Sequence, residues 1–260
     1  MTDVERPLRG GGQFAVSAVD GPPARVIKRG PRGPLAREAR ALRLVERLGV
    51  APRLVGAEAG AIVTELVDGA ERPMDRLAPA DARALGSALR TVHESRRAAT
   101  GWLPTWTSRA RSLDAYRGRR ADDARAAAEG EGALATLVAR TLPAIPGGAD
   151  ARPFRLLHGD LVSSNVLWTP APRLVDWEFW RMGDPAEDLA YLAEVNGMPD
   201  RVLAHVIDAY GDRAVAARID GWRALCALDA GLWYRRAGAT PAARRLLGRA
   251  AALSGASPSR

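Results

Sequence analysis

The sequence predicts an α+β fold in two unequal lobes, a small β-rich N-terminal unit and a larger, mainly helical C-terminal one. Short β-branched runs with hairpin turn chemistry are confined to residues 1–69, and beyond them apolar residues recur at helical spacing. The helical part is interrupted by RLLHGDLVSSNVLW (155–168), which sets a histidine, an acid and an amide between two apolar runs. A chain of 260 residues is long enough to bury the core of one large domain or two small ones.

Gly10, Gly11 and Gly12 precede the run QFAVSAV (13–19), and DGPP joins that run to ARVIKR (24–29), the signature of an antiparallel hairpin. PLAREARALRLVERL (34–48) sets leucine and alanine on one face and arginine and glutamate on the other, so it predicts an amphipathic helix. GVAPRLVGAEAG reads as a strand and turn, and AIVTELV (61–67) as a buried strand ending at Asp68 and Gly69. Helices are predicted at 79–97 and at 108–142, the latter interrupted at GEG (130–132). After the loop PAIPGGADARP (143–153) and the central segment, further helices are predicted at 185–195, 199–217, 219–237 and 241–253. The chain thus divides into an N-terminal lobe at 1–69, a helical lobe at 70–253 and a disordered tail at 254–260.

Composition narrows the function classes. The net charge of +8 raises nucleic acid as a partner, but the arginines are scattered among alanines in stretches such as DARALGSALRTVHESRRAA, without interleaved aromatics. The pattern argues for a basic solvated surface and against a nucleic-acid platform. A single cysteine, Cys226, leaves no intramolecular disulfide, which fits a reducing compartment. The N-terminus MTDVERPLRGGG lacks the apolar run of a signal peptide, and no stretch of eighteen apolar residues occurs, so the expectation is a cytoplasmic protein without a membrane partner. Among the 38 basic residues only Lys28 is lysine. A position that stays lysine in such a chain is a candidate for chemistry that needs a compact ammonium, which a guanidinium cannot replace.

Within the central segment, NVLW and RLVDW read as two short strands joined by TPAP. An antiparallel hairpin of that spacing brings Asn165 and Asp176 to one end of the ribbon, with Asp160 in the loop just before. Two carboxylates and an amide are oxygen donors, the set that suits Mg²⁺ carrying phosphates and not zinc.

These residues carry a resemblance. HGDLVSSN together with LVDWE is similar to the catalytic and metal-binding pair of the aminoglycoside phosphotransferase and choline kinase group, distant relatives of protein kinases. The resemblance implies a bilobal protein-kinase-like fold, ATP and Mg²⁺ as cofactors, and a small-molecule hydroxyl as phosphate acceptor. Position by position it implies Asp160 as the base, and Asn165 and Asp176 as the metal ligands. His158 resembles the structural histidine before the base. RVIK puts Lys28 where the family's strand lysine grips the α- and β-phosphates, and Glu38 on the next helix is its implied ion-pair partner. Gly10, Gly11 and Gly12 match the phosphate-covering loop loosely. IVTELVDG resembles the hinge, with backbone groups of Glu65 and Val67 facing adenine and Thr64 just inside. Two departures stand out. DWE replaces the protein-kinase DFG with no APE segment after it, which argues against a protein substrate, and VSS replaces the His-Pro-Gly-like triplet before the asparagine.

Other residues have plainer readings. In GDPAEDLA, Asp184 reads as an N-cap, Pro185 as the first helical residue and Glu187 as the closing partner of a capping box. Asp188 braces the catalytic loop by resemblance. Glu178 either reaches a second metal or faces solvent. Trp102, Trp106, Trp222 and Trp233, with Tyr234, are core residues or a wall for a cationic ligand. Residues 191–260 hold ten arginines against six acids, which disfavours a polycationic acceptor and leaves macrolides, sugars, nucleosides and other metabolites. The competing classes are a choline-, sugar- or thiamine-type metabolite kinase, a nucleotide-binding pseudokinase scaffold, and a nucleic-acid-associated basic protein.

Overall fold

A computed structural model describes residues 5–8, 13–95, 113–146 and 155–255. Strands β1 (Glu5–Pro7), β2 (Ala15–Val19), β3 (Arg25–Arg29), β4 (Leu54–Glu58) and β5 (Ala61–Glu65) form one antiparallel sheet in the order β1-β2-β3-β5-β4. The expected hairpin is β2–β3, with Val16 opposite Lys28, and Lys28 in turn faces Ile62 of β5. Helix α1 (Arg32–Val45) covers the sheet with Leu35, Ala39, Leu42 and Val45, buried at helical spacing. Glu38 is buried on the same helix.

The helical lobe is assembled from α2 (Pro79–His93), α3 (Leu113–Ala127), α4 (Gly132–Thr141), α5 (Pro185–Val195), α6 (Asp200–Tyr210), α7 (Arg213–Ala216), α8 (Ile219–Arg236) and α9 (Thr240–Gly255). Helix α5 runs through its centre; all of its residues are buried except Tyr191, which is half-buried. The predicted helix 199–217 is two helices. Gly211 closes α6 in the left-handed region at φ 73°, and Asp212 restarts the chain by accepting from the backbone N–H groups of Ala214 and Val215 at 2.9 and 3.1 Å. The predicted 79–97 helix ends at His93, and Ser254 and Gly255, assigned to the tail, finish α9. Trp102 and Trp106 lie outside the described residues.

Two short hairpin-like pairings lie between α4 and α5. β7 (Val166–Thr169) pairs with β8 (Ala171–Leu174), as NVLW and RLVDW predict, and β6 (Arg155–Leu157) pairs with β9 (Arg181–Gly183). Trp168 and Ala70 exchange backbone hydrogen bonds, and Leu174 N–H donates to Val50 O at 2.7 Å, so the β7–β8 hairpin is tied to the chain around the hinge. Among the described residues no helix is long and apolar enough to cross a membrane.

Candidate active site

The β7–β8 register sets Val166 opposite Leu174, and Val175 N–H donates to Asn165 O at 3.0 Å. Asn165 ends the tight turn 163–165 before β7, and Asp176 follows β8, so the two side chains start from the same end of the ribbon. Asp176 is the sole non-glycine residue with positive φ among those described, at φ 63° and ψ 65°. A left-handed aspartate costs backbone energy, and such outliers cluster at functional sites.

Lys28 joins the two lobes. Its Nζ donates to Glu38 Oε2 at 2.8 Å and to Asp176 Oδ1 at 2.6 Å, and lies 4.2 Å from the centre of the Phe14 ring. Lys28 and Glu38 are buried, whereas the Asp176 side chain is about a third exposed, at 36%. Burial lowers the Lys28 pKa, but the charges of Glu38 and Asp176 outweigh it, and the net shift is upward. The ammonium is therefore firmly protonated. Burial raises Glu38, with Lys28 and the Trp177 backbone N–H opposing. Arg37 and Trp180 clasp α1 to the segment after Asp176: Trp180 Nε1 donates to Arg37 O at 2.7 Å, and Arg37 Nη2 to Trp180 O at 3.1 Å.

Asp160 sits at the centre of the loop 158–161. Asn165 Nδ2 donates to both Asp160 O at 2.9 Å and Asp160 Oδ2 at 3.0 Å, and Tyr191 Oη donates to Asp160 Oδ1 at 2.8 Å. With both amide hydrogens directed at Asp160, the Asn165 carbonyl oxygen is the atom left to meet a cation. Burial raises the Asp160 pKa, and the Tyr191 hydrogen bond works against it.

The loop backbone hangs on Asp188. Its Oδ2 accepts from His158 N–H at 2.7 Å and its Oδ1 from Gly159 N–H at 3.0 Å, while His93 Nε2 lies 3.2 Å from Oδ2. Gly159 adopts φ 84°, and a Cβ there would run into Phe179 O, so glycine is required at this turn. His158 Nε2 lies 2.9 Å from Val175 O, which can only accept, and its Nδ1 takes the Asp160 N–H at 3.3 Å. That pairing defines a neutral imidazole with its proton on Nε2, and burial lowers its pKa. His158 is thus a structural tie between the loop and the residue before Asp176. We expect Asp188→Asn, which turns an NH₂ group toward backbone donors, to lower stability by about 2–4 kcal/mol. Thermal melting checks this: a midpoint within 2 °C of wild type would contradict the bracing role, since about 1 kcal/mol moves a domain of this size by roughly 2–4 °C.

Other positions differ from expectation. Asp184 does cap α5, through Ala186 N–H at 3.2 Å, but Glu187 closes no capping box. Its buried carboxylate instead pairs with Arg120 at 2.8 Å and Arg181 at 2.9 Å and accepts from Tyr116. Trp222 is core, fully buried with its Nε1 donating to Asp184 Oδ2 at 2.9 Å, whereas Trp233 is 57% exposed. Glu178 is half-buried beside Asp176, and burial together with that neighbouring charge pushes its pKa up to about 7. At the hinge, Glu65 N–H donates to Arg53 O at 3.0 Å and Val67 O accepts from Gly69 N–H at 3.0 Å. The Glu65 carboxylate pairs with Arg173 of β8, whose guanidinium also reaches Ala51 O at 2.7 Å. Gly10, Gly11 and Gly12 lie outside the described residues.

Tyr191, Arg173, Trp180 and Arg37 escaped the sequence reading. Their side chains act across elements, and local periodicity carries no signal for such contacts. Beside the loop opens a cavity of about 390 Å³, lined by Met74, Asp75, Ser163, Ser164, Asn196 and Tyr234, among others. Among the described residues no group of three or more His, Cys, Asp or Glu side chains forms a metal cage. The Asn165 and Asp176 oxygens, with Glu178 beside them, fit instead a magnesium ion held by few protein ligands and completed by phosphates.

The fold and this constellation define a phosphotransferase of the bilobal, protein-kinase-like type. Residues 4–228 match the phosphotransferase enzyme family, and the chain belongs to it. Over 91 residues it is 40% identical to the viomycin phosphotransferase of Streptomyces vinaceus, a match that spans 32% of this chain and 31% of that protein. A choline/ethanolamine kinase family protein of Mesorhizobium loti superposes with a TM-score of 0.72 at 23% identity, over 98% of this chain and 89% of the other. A thermostable variant of the aminoglycoside phosphotransferase APH(4)-Ia, in ternary complex with ADP and hygromycin B, superposes with a TM-score of 0.71 at 17% identity, over 98% and 95%.

Proposed function

We propose that the protein transfers the γ-phosphoryl group of ATP, with Mg²⁺, to a hydroxyl of a small molecule. The observation that carries this is the position of Lys28, whose ammonium contacts a helix glutamate of its own lobe and an aspartate of the other. Lys28, fixed by Glu38, holds the α- and β-phosphates. The Asn165 carbonyl oxygen and the Asp176 carboxylate would hold the metal, which when bound neutralises phosphate charge. The base of the nucleotide is met by the Glu65 carbonyl and the Val67 N–H, because the Glu65 N–H and Val67 carbonyl are engaged within the chain. Asp160 orients the acceptor hydroxyl and receives its proton as the new O–P bond forms and the bond to the ADP oxygen breaks.

The cavity beside Ser163 and Ser164 is the place for the acceptor, and its carboxylate, hydroxyl and amide groups suit a polar, hydroxylated molecule. The arginine excess of residues 191–260 does not set its charge. Arg218 is paired with Asp184 at 2.7 Å, Arg249 with Glu194 at 2.8 Å, and Arg223 with Asp200 at 3.0 Å and with Glu194. A cationic acceptor therefore stays in contention, and antibiotics such as aminoglycosides, viomycin or macrolides stand beside choline-, sugar- and thiamine-type metabolites as substrate classes. A pseudokinase scaffold is disfavoured because Lys28, Asp160, Asn165 and Asp176 are all present.

The test is a panel of viomycin, hygromycin B, a macrolide, choline and sugars incubated with MgATP and read by mass. A gain of one phosphoryl group on any acceptor supports the reading; ADP formation at the no-protein rate with every acceptor, and with water, contradicts it. Chelation supplies a second check. With excess EDTA we expect turnover to fall at least about 100-fold, since the phosphate charge is then left to Lys28 alone. Turnover that survives chelation would overturn the metal assignment.

A further inference from the structure

Helix α5 grips the loop 158–161 along its length. Asp188 takes the His158 and Gly159 N–H groups, Tyr191 donates to the Asp160 carboxylate, and at the end of the helix Asn196 Nδ2 donates to Leu161 O at 2.7 Å. Asp188 and Tyr191 stand three residues apart and so share a helix face. One rigid, buried element thereby sets both the path of the loop and the direction of its carboxylate.

Resting on the phosphotransfer reading above, we propose that Tyr191 is a positioning residue for the transfer step: its hydroxyl fixes the plane of the Asp160 carboxylate against the acceptor. The torsion that turns a carboxylate about its last bond is broad and two-fold, so it takes hydrogen bonds to hold one plane. Asp160 has one on each oxygen: Tyr191 Oη on Oδ1 at 2.8 Å, and Asn165 Nδ2 on Oδ2 at 3.0 Å. The Asn165 bond comes from a side chain that also faces the metal position, whereas Tyr191 is anchored in the helix and has no other hydrogen-bond partner among those observed. Burial and the charge of Asp160 hold the phenol protonated, so it is always the donor. Tyr191 is also the half-buried exception on an otherwise buried helix, the exposure expected of a side chain that looks into the site.

Tyr191→Phe removes the hydroxyl and keeps the ring in its packing. We expect kcat for ADP formation from MgATP, with water and with the best acceptor of the panel, to fall roughly 10- to 100-fold, the worth of one hydrogen bond to a charged group. KM for ATP should stay within about twofold. In an Asp160→Ala background the same substitution should cost nothing further, because the group it orients is gone. A Tyr191→Phe enzyme with wild-type kcat, or one whose loss persists in the Asp160→Ala background, overturns the proposal. A crystal structure of the variant decides independently of turnover: an Asp160 carboxylate rotated or split between orientations supports it, and one unmoved from the wild-type plane overturns it. If wild type and Asp160→Ala turn over equally, the phosphotransfer assignment of Asp160 fails. If Asp160→Ala is dead and Tyr191→Phe is fully active, only the role of Tyr191 fails.

Discussion

Asp160→Ala is expected to lose roughly 10²- to 10⁴-fold in kcat, the range that general base catalysis contributes, while ATP binds with nearly unchanged affinity. The asymmetry follows from where Asp160 stands. On the proposed reading, nucleotide contacts come from the sheet, the hinge and the hairpin end, through Lys28, the Glu65 and Val67 backbone, Asn165 and Asp176. Asp160 lies in the loop before the hairpin, and its carboxylate is linked to Tyr191 and Asn165, not to Lys28. Removing it leaves the Lys28–Glu38–Asp176 triad in place. Asn165 also keeps its bond to the Asp160 main-chain oxygen, so the proposed metal ligand is not released with the carboxylate. Isothermal titration with nucleotide and a turnover assay on the same preparation separate the two effects. An Asp160→Ala enzyme with full turnover would transfer the base role to another residue; one that loses nucleotide affinity as well would mean that Asp160 belongs to the nucleotide site.

The positions proposed to carry this chemistry were visible in the sequence because each is fixed by local rules. Asn165 and Asp176 come together since a two-stranded hairpin has a register, and NVLW and RLVDW are short enough to leave little choice of it. Lys28 stood out by composition, as a lysine in a chain that otherwise uses arginine. The contacts that tune these residues were hidden, for a different reason. Tyr191 meets Asp160 across 31 positions, and Arg173 meets Glu65 across 108, so neither pairing leaves a periodic trace. Glu187 shows the same limit from the other side. Its spacing from Asp184 spells a capping box, yet two arginines and a tyrosine from distant elements outcompete the local partner. The helix break at Gly211 was legible in principle, as a glycine followed by an aspartate, but the apolar periodicity continues across it and masks the stop. The strand β9 is three residues long and pairs with β6, so its existence depends on a partner 26 positions away in sequence and not on its own composition.

Lys28→Arg is the sharper test of why one lysine persists. The ammonium is enclosed by Glu38 Oε2 at 2.8 Å, Asp176 Oδ1 at 2.6 Å and the Phe14 ring at 4.2 Å, and the side chain is only 10% exposed. A guanidinium is longer and planar, and in this enclosure it must push Glu38 or Asp176 away or withdraw its own fork. Either displacement moves the charge relative to the phosphates, and about 1 Å of misplacement costs on the order of 100-fold. We therefore expect kcat/KM for ATP to fall about 100-fold or more although the charge is conserved. A fall of less than tenfold would mean that charge alone suffices at this position and that the lone lysine is an accident of composition. Lys28→Met separates stability from catalysis. It leaves Glu38 buried without its cation, and burial then drives the carboxyl further above its ordinary range than in the wild type. A carboxyl raised in the folded state is equally protonated in both states at pH below its unfolded value, and there its charge costs nothing. As the pH rises through the folded value, the unfolded state releases the proton first and stability declines. The deficit of Lys28→Met relative to wild type should accordingly be small near pH 4 and grow toward neutrality, up to about 3–5 kcal/mol, the cost of an uncompensated buried charge. Chemical denaturation at several pH values reads it directly, and a deficit independent of pH would show that packing, not the Glu38 charge, is what Lys28 satisfies.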